Sequence, residues 1–88
     1  MTTPWWWLSF ADGRKPKGSQ FLGAAIVSGN NFLEAVRKSH KLGCNPGGQV
    51  QGLPILNNLS IPEHWLNRLL TRSECEQFNK EMLPKIMN

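Results

Sequence analysis

Eighty-eight residues, 40% hydrophobic and 18% charged, specify one globular domain with room for one modest core and exclude a disordered chain. Ten Lys and Arg against six Asp and Glu leave a net charge of +4, which favours anionic partners yet falls short of a dedicated nucleic-acid binder. Two widely spaced cysteines exclude a disulfide framework, and no apolar run approaches the roughly 18 to 20 residues of a membrane span.

Trp5-Trp6-Trp7-Leu8-Ser9-Phe10-Ala11 reads as a strand, stopped by Asp12-Gly13. Alternation places Trp6, Leu8 and Phe10 on one face and Trp5, Trp7, Ser9 and Ala11 on the other. Both faces are apolar, so both need cover. With four Trp and no Tyr in so short a chain, the cover expected for the second face is another copy, giving a homodimer or higher homo-oligomer. Asp12 to Gln20 is a loop carrying Arg14, Lys15 and Lys17, either a soluble basic hairpin or an anion-contacting loop. Phe21 to Ser28 is a second strand, small in the middle at Gly23, Ala24 and Ala25.

A helix over about Asn31 to Leu42 follows, capped by Asn30 or Asn31 with Glu34 in its first turn. Phe32, Ala35, Val36, Ser39 and Leu42 share its inner face, while Glu34, Arg37, Lys38 and Lys41 point away. Leu42-Gly43-Cys44-Asn45-Pro46-Gly47-Gly48-Gln49-Val50-Gln51-Gly52 then stops the helix, turns and launches a third strand from Gln49 to Leu56. Asn57 to Ser60 is a loop, and Ile61 to Trp65 a short helical turn with Pro62 at its first position. Ser73-Glu74-Cys75-Glu76 matches a capping box for a second helix to about Met82. The expectation is an α+β fold, β-β-α-β-α, with a small three-stranded, mostly antiparallel sheet, one packed helix and a C-terminal helix. The compact domain spans 1–83 and Pro84 opens a tail over 84–88.

Catalysis finds little to work with. The carboxylates Glu34, Glu63, Glu74, Glu76 and Glu81 sit at helix starts or on solvated faces, and Asp12 at a turn. Cys44 lies near His40 only across a helix end, and is simplest as a small buried residue under the turn. The chain reads as a non-enzyme without cofactor. His40, Cys44, His64 and Cys75 have the inventory of a tetrahedral zinc site but not its spacing, so no metal is expected. Nucleic acid is disfavoured, because the tryptophans are concentrated and the cations form no stripe.

A small anion such as a nucleotide fits the residue types better. Gly47 and Gly48 offer bare backbone amides, Asn45 and Gln51 polar edges, Trp7 a stacking surface. Arg68 or Arg72 would pair with phosphate, helped by Lys15 and Lys17. The alternative is an inhibitor or adaptor that caps a host protein through Trp and Arg hot spots.

The strings Trp5 to Asp12, Phe21-Leu22-Gly23, Leu42 to Gly48 and Asn67-Arg68-Leu69-Leu70 resemble a family of small bacterial and phage proteins to which no activity is assigned. The resemblance covers about the first four fifths of the chain. Proteins of this size and setting imply a counter-defence role, as a sponge for a nucleotide signal or an inhibitor, in the host cytoplasm. No signal peptide is expected, since Pro4 to Phe10 is short and no basic residue precedes it.

Overall fold

The computed structural model describes residues 4–55 and 60–87, with side chains as far as 82. Strands β1 (Trp5–Ala11) and β2 (Phe21–Ser28) are followed by helix α1 (Phe32–Lys41), strand β3 (Gln49–Ile55), a 3-10 turn (Glu63–Trp65), strand β4 (Leu69–Leu70) and helix α2 (Arg72–Met87). The fold is α+β with an antiparallel sheet and two helices, but the sheet has four strands, ordered β3-β1-β2-β4, rather than three. The expected loop over Asn57–Leu59 lies outside the described residues.

The missed strand is two residues long and flanked by Arg68 and Thr71, so it carries no alternation to read. It is set by its neighbours instead. Asn67 takes a left-handed φ of 62° and its N–H donates to the Ile26 carbonyl at 2.9 Å, turning the chain so that Leu69 and Leu70 pair with Ala25 and Ala24.

The two faces of β1 part as alternation requires. Leu8 and Phe10, both 0% exposed, pack with Ala25, Val27, Ala35 and Cys44 beneath α1, with Trp6 at the margin. Trp5 and Trp7 join Ala24, Ile26, Trp65, Leu70, Cys75, Phe78 and Met82 beneath α2. Each large side chain so buried contributes about 1.5–3 kcal/mol. Cover for the second tryptophan face therefore comes largely from the chain's own α2, and the physical reason for expecting a second copy on that face is met within one chain.

Local hydrogen bonds set the helix ends. The Asn31 side chain accepts from Glu34 N at 2.9 Å, and Glu34 reaches back to Asn30 N at 3.4 Å. At the other end Gly43, φ 74°, donates to the His40 carbonyl and Cys44 N to that of Ser39, the paired bonds of a Schellman ending that needs a left-handed residue after Leu42. For α2 the capping box lies two residues ahead of the expected Ser73–Glu76. Thr71 Oγ1 accepts from Glu74 N at 3.2 Å, and Glu74 Oε1 accepts from Thr71 N at 3.1 Å. The helix also passes Pro84 and continues to Met87, where the sequence reading ends it near Met82. One proline in the last turn removes a single backbone bond, a cost the helix absorbs.

The Thr71 amide and Arg68 hold the Glu74 carboxyl below its ordinary 4.5. A group whose folded pKa is depressed stabilises the fold above its unfolded value, and that contribution is lost as pH falls through the folded one. Thermal melts should hold steady from neutral pH to about 5 and decline below, in the range of ordinary carboxylates. Glu74→Gln should lower the neutral melting temperature and flatten the acid limb. A second prediction concerns Gly48, whose φ is 76° and whose added Cβ would strike the Ala11 carbonyl. Gly48→Ala should cost about 1–3 kcal/mol in urea melts. Gly13→Ala, with open space around it, should stay within about 0.5 kcal/mol of the parent.

Candidate functional site

The topology gathers part of the expected anion site at one end of the sheet. Ala11 closes β1 there, Phe21 opens β2 and Gln49 opens β3, so the basic loop and the glycine turn are neighbours. Part of the glycine turn's polar groups, however, is spent on the fold. Asn45 Oδ1 accepts from Gly47 N at 2.8 Å, and Asn45 Nδ2 donates to Ser39 Oγ at 3.0 Å, satisfying a buried hydroxyl. Gly48 lies against the Ala11 backbone, so its missing side chain makes room for β1.

The arginines are committed too. Arg68 Nη1 lies 2.6 Å from Glu74 Oε2, and its Nε donates to the His64 carbonyl at 2.7 Å. The Arg72 guanidinium sits 5.7 Å above the Phe21 ring centroid. Trp7 stacks on Phe78 with centroids 5.3 Å apart, inside the α2 core. Gln51 is exposed on β3, opposite Ser9, and Lys15 and Lys17 are exposed in the hairpin loop. Of the nine residues, Gly48 alone lines either of the two clefts described below.

A cleft of about 420 Å³ does open at this end, lined by Ala11 to Arg14, Gly48 and Gln49. It is a poor anion site. Asp12 occupies it, and a hydrogen bond from Arg14 (Nε to Oδ1, 3.1 Å) holds that carboxyl below its ordinary range and thus ionised. The same bond neutralises the local arginine.

A second cleft, of about 400 Å³, lies at the opposite end of the sheet, between the β2–α1 bend and the outer face of α1. Pro4, Ser28, Gly29 and Asn30 form its backbone wall, and Glu34, Arg37, Lys38 and Lys41 reach it from the helix. Spacings of three and four residues put those four side chains on one stripe. Glu34 is tied into the helix cap. Among the described residues no carboxylate comes within 4.0 Å of Arg37, Lys38 or Lys41. Sequence reading took this stripe as a solvated face whose last turn complements the helix dipole. The charge pattern was visible, but the concavity was not, because it depends on how the β2–α1 bend folds back on the helix.

The histidines and cysteines do not gather. Cys44 is buried in the core beneath α1 and Cys75, on α2 itself, in the core on the other side of the sheet. The His64 ring lies tilted against Trp65, with centroids 4.5 Å apart, and His40 is exposed at the end of α1. No three His, Cys, Asp or Glu side chains among the described residues stand together as metal ligands. Burial pushes both thiols above their ordinary pKa, with Glu74 adding to the effect at Cys75. At mildly alkaline pH the folded protein should therefore react with a thiol-directed disulfide reagent far more slowly than the urea-unfolded chain, which should titrate both cysteines.

No helix among the described residues is long and apolar enough to cross a membrane. No protein-family model, curated protein or solved structure is detectably similar to this chain.

Proposed function

We propose that this protein binds a phosphate-bearing small molecule, of nucleotide size or smaller, in the cleft beside α1, and sequesters it without turning it over. The observation that carries this reading is the set of three cations, Arg37, Lys38 and Lys41, which share one concavity and have no carboxylate partner among the described residues. Unpaired cations on a curved wall concentrate field where an anion can enter, and the guanidinium of Arg37 supplies a planar two-point donor for phosphate oxygens. At about 400 Å³ the space lies at the lower end of small-molecule sites. Glu34, the one carboxylate in the lining, serves the helix cap, so the cleft provides charge and shape rather than an acid–base pair. The residues that would anchor a host protein are less available: Arg68 is tied to Glu74, Trp6 donates to the Gly29 carbonyl, and Trp65 is 4% exposed.

Calorimetric titration with pyrophosphate and with a nucleoside triphosphate tests the reading, with the uncharged nucleoside as control. The phosphates should bind, more weakly as salt rises, and the nucleoside should not. Arg37→Ala and Lys41→Ala should each reduce affinity by about tenfold, the worth of one charge-assisted hydrogen bond, while melting as the parent does. Equal, salt-insensitive affinity for the nucleoside, or unchanged affinity in both variants, would remove the cleft from consideration.

A further inference from the structure

We infer that the free edge of β3 pairs with β3 of a second copy of this chain, antiparallel, about a two-fold axis near Gly52. The sheet order leaves one long side of β3 without a neighbouring strand among the described residues. An unpaired edge presents a row of backbone N–H and C=O groups, and the groups that match it are those of another extended segment. Proteins usually protect such edges with charge. The seven residues Gln49–Ile55 carry none, in a chain whose net charge is +4, and Pro54 is the single protective residue of the strand.

A second β3 suits this edge better than other segments of the chain, because it brings no like charges together. Antiparallel pairing of one strand with itself also closes as an isologous dimer instead of growing into a fibre. With the axis at Gly52, Gln51 faces the second copy's Leu53, and Val50 faces its Pro54. The proline offers no N–H, so the ladder is short and the dimer of moderate affinity.

Side chains on both faces favour the same axis. Leu53, paired with Trp7 across the β1–β3 ladder, lies on the α2 face and is 67% exposed. In the dimer it is a diagonal neighbour of the second copy's Leu53, within reach for apolar contact. On the α1 face the Phe32 ring lies directly over Gly52, where an added Cβ would collide with it, and Phe32 is 39% exposed. The two Phe32 rings therefore flank the axis. One exposed apolar group on each face of the edge is what a continuous eight-stranded sheet would cover.

Light scattering across a concentration series, from low to high micromolar, reads the outcome. The parent should rise from about 9.9 kDa towards about twice that mass. Leu53→Lys, at an exposed position, should stay monomeric throughout with an unchanged far-ultraviolet spectrum, and Gln51→Lys should act the same way by adding charge to the edge. Leu69→Lys, 36% exposed on β4 at the opposite edge of the sheet, should dimerise like the parent. A parent that stays monomeric at high micromolar concentration overturns the inference, as does a dimer that survives both edge substitutions.

Discussion

A central strand that is aromatic on both faces is the constraint from which the rest of this structure follows. β1 lies between β2 and β3 and carries Trp6, Leu8 and Phe10 towards one side, Trp5 and Trp7 towards the other. Neither face can be left to water, so each recruits a helix. α1 approaches closely because its inward residues are small: Ala35 and Ser39 are both 0% exposed, and the Gly29 backbone lies against Ala35. α2 stands over a bulkier surface, where Phe78 stacks on Trp7 and meets Trp65 edge to face at 5.7 Å. A small chain thus obtains two cores on one sheet, each too small to be stable without the shared strands between them.

The glycine turn serves this arrangement. β3 must run antiparallel beside β1 directly after α1 has crossed the α1 face, so the chain has to reverse and meet β1 backbone to backbone within a few residues. Left-handed Gly43 ends the helix, the Asn45 side chain holds the turn, and Gly48 passes against Ala11. Positive φ at Gly43, Gly47 and Gly48 and the Phe32 ring against Gly52 account for the four glycines in these eleven residues. Of the two amides expected to meet phosphate, that of Gly47 already donates to the Asn45 side chain, and Gly48 packs against the Ala11 backbone.

Much of the fold was legible because it rests on local chemistry. Alternation in β1, the inward Ala35 and Ser39 of α1 and the left-handed residue after Leu42 are each encoded within a few residues of where they act, whereas Phe32 and Leu42, expected on the same inner face, are exposed. β4 was hidden because its two residues become a strand only by pairing with Ala24 and Ala25. The capping box of α2 was misplaced because Thr71–Glu74 and Ser73–Glu76 are both admissible patterns, and the choice between them depends on where β4 ends. The candidate site was legible least of all. Arg68 carries a guanidinium suited to phosphate, but nothing near it in sequence reveals that Glu74 and the His64 carbonyl take its donors.

That last failure identifies what makes a surface charge available. In this chain the cations nearest carboxylates in space are consumed, Arg14 by Asp12 and Arg68 by Glu74, and each pair fastens a turn. The cations of α1 escape because the helix's one acid, Glu34, is drawn to the N-terminal cap by Asn30 and Asn31. The same capping chemistry that starts the helix thus removes the natural partner for Arg37, Lys38 and Lys41 and leaves the stripe positive. The bend over Ser28, Gly29 and Asn30, pinned by the Trp6 indole on the Gly29 carbonyl, then gives that stripe its concave wall. Because Trp6 belongs to β1, the strand that requires the helix also shapes the cleft beside it.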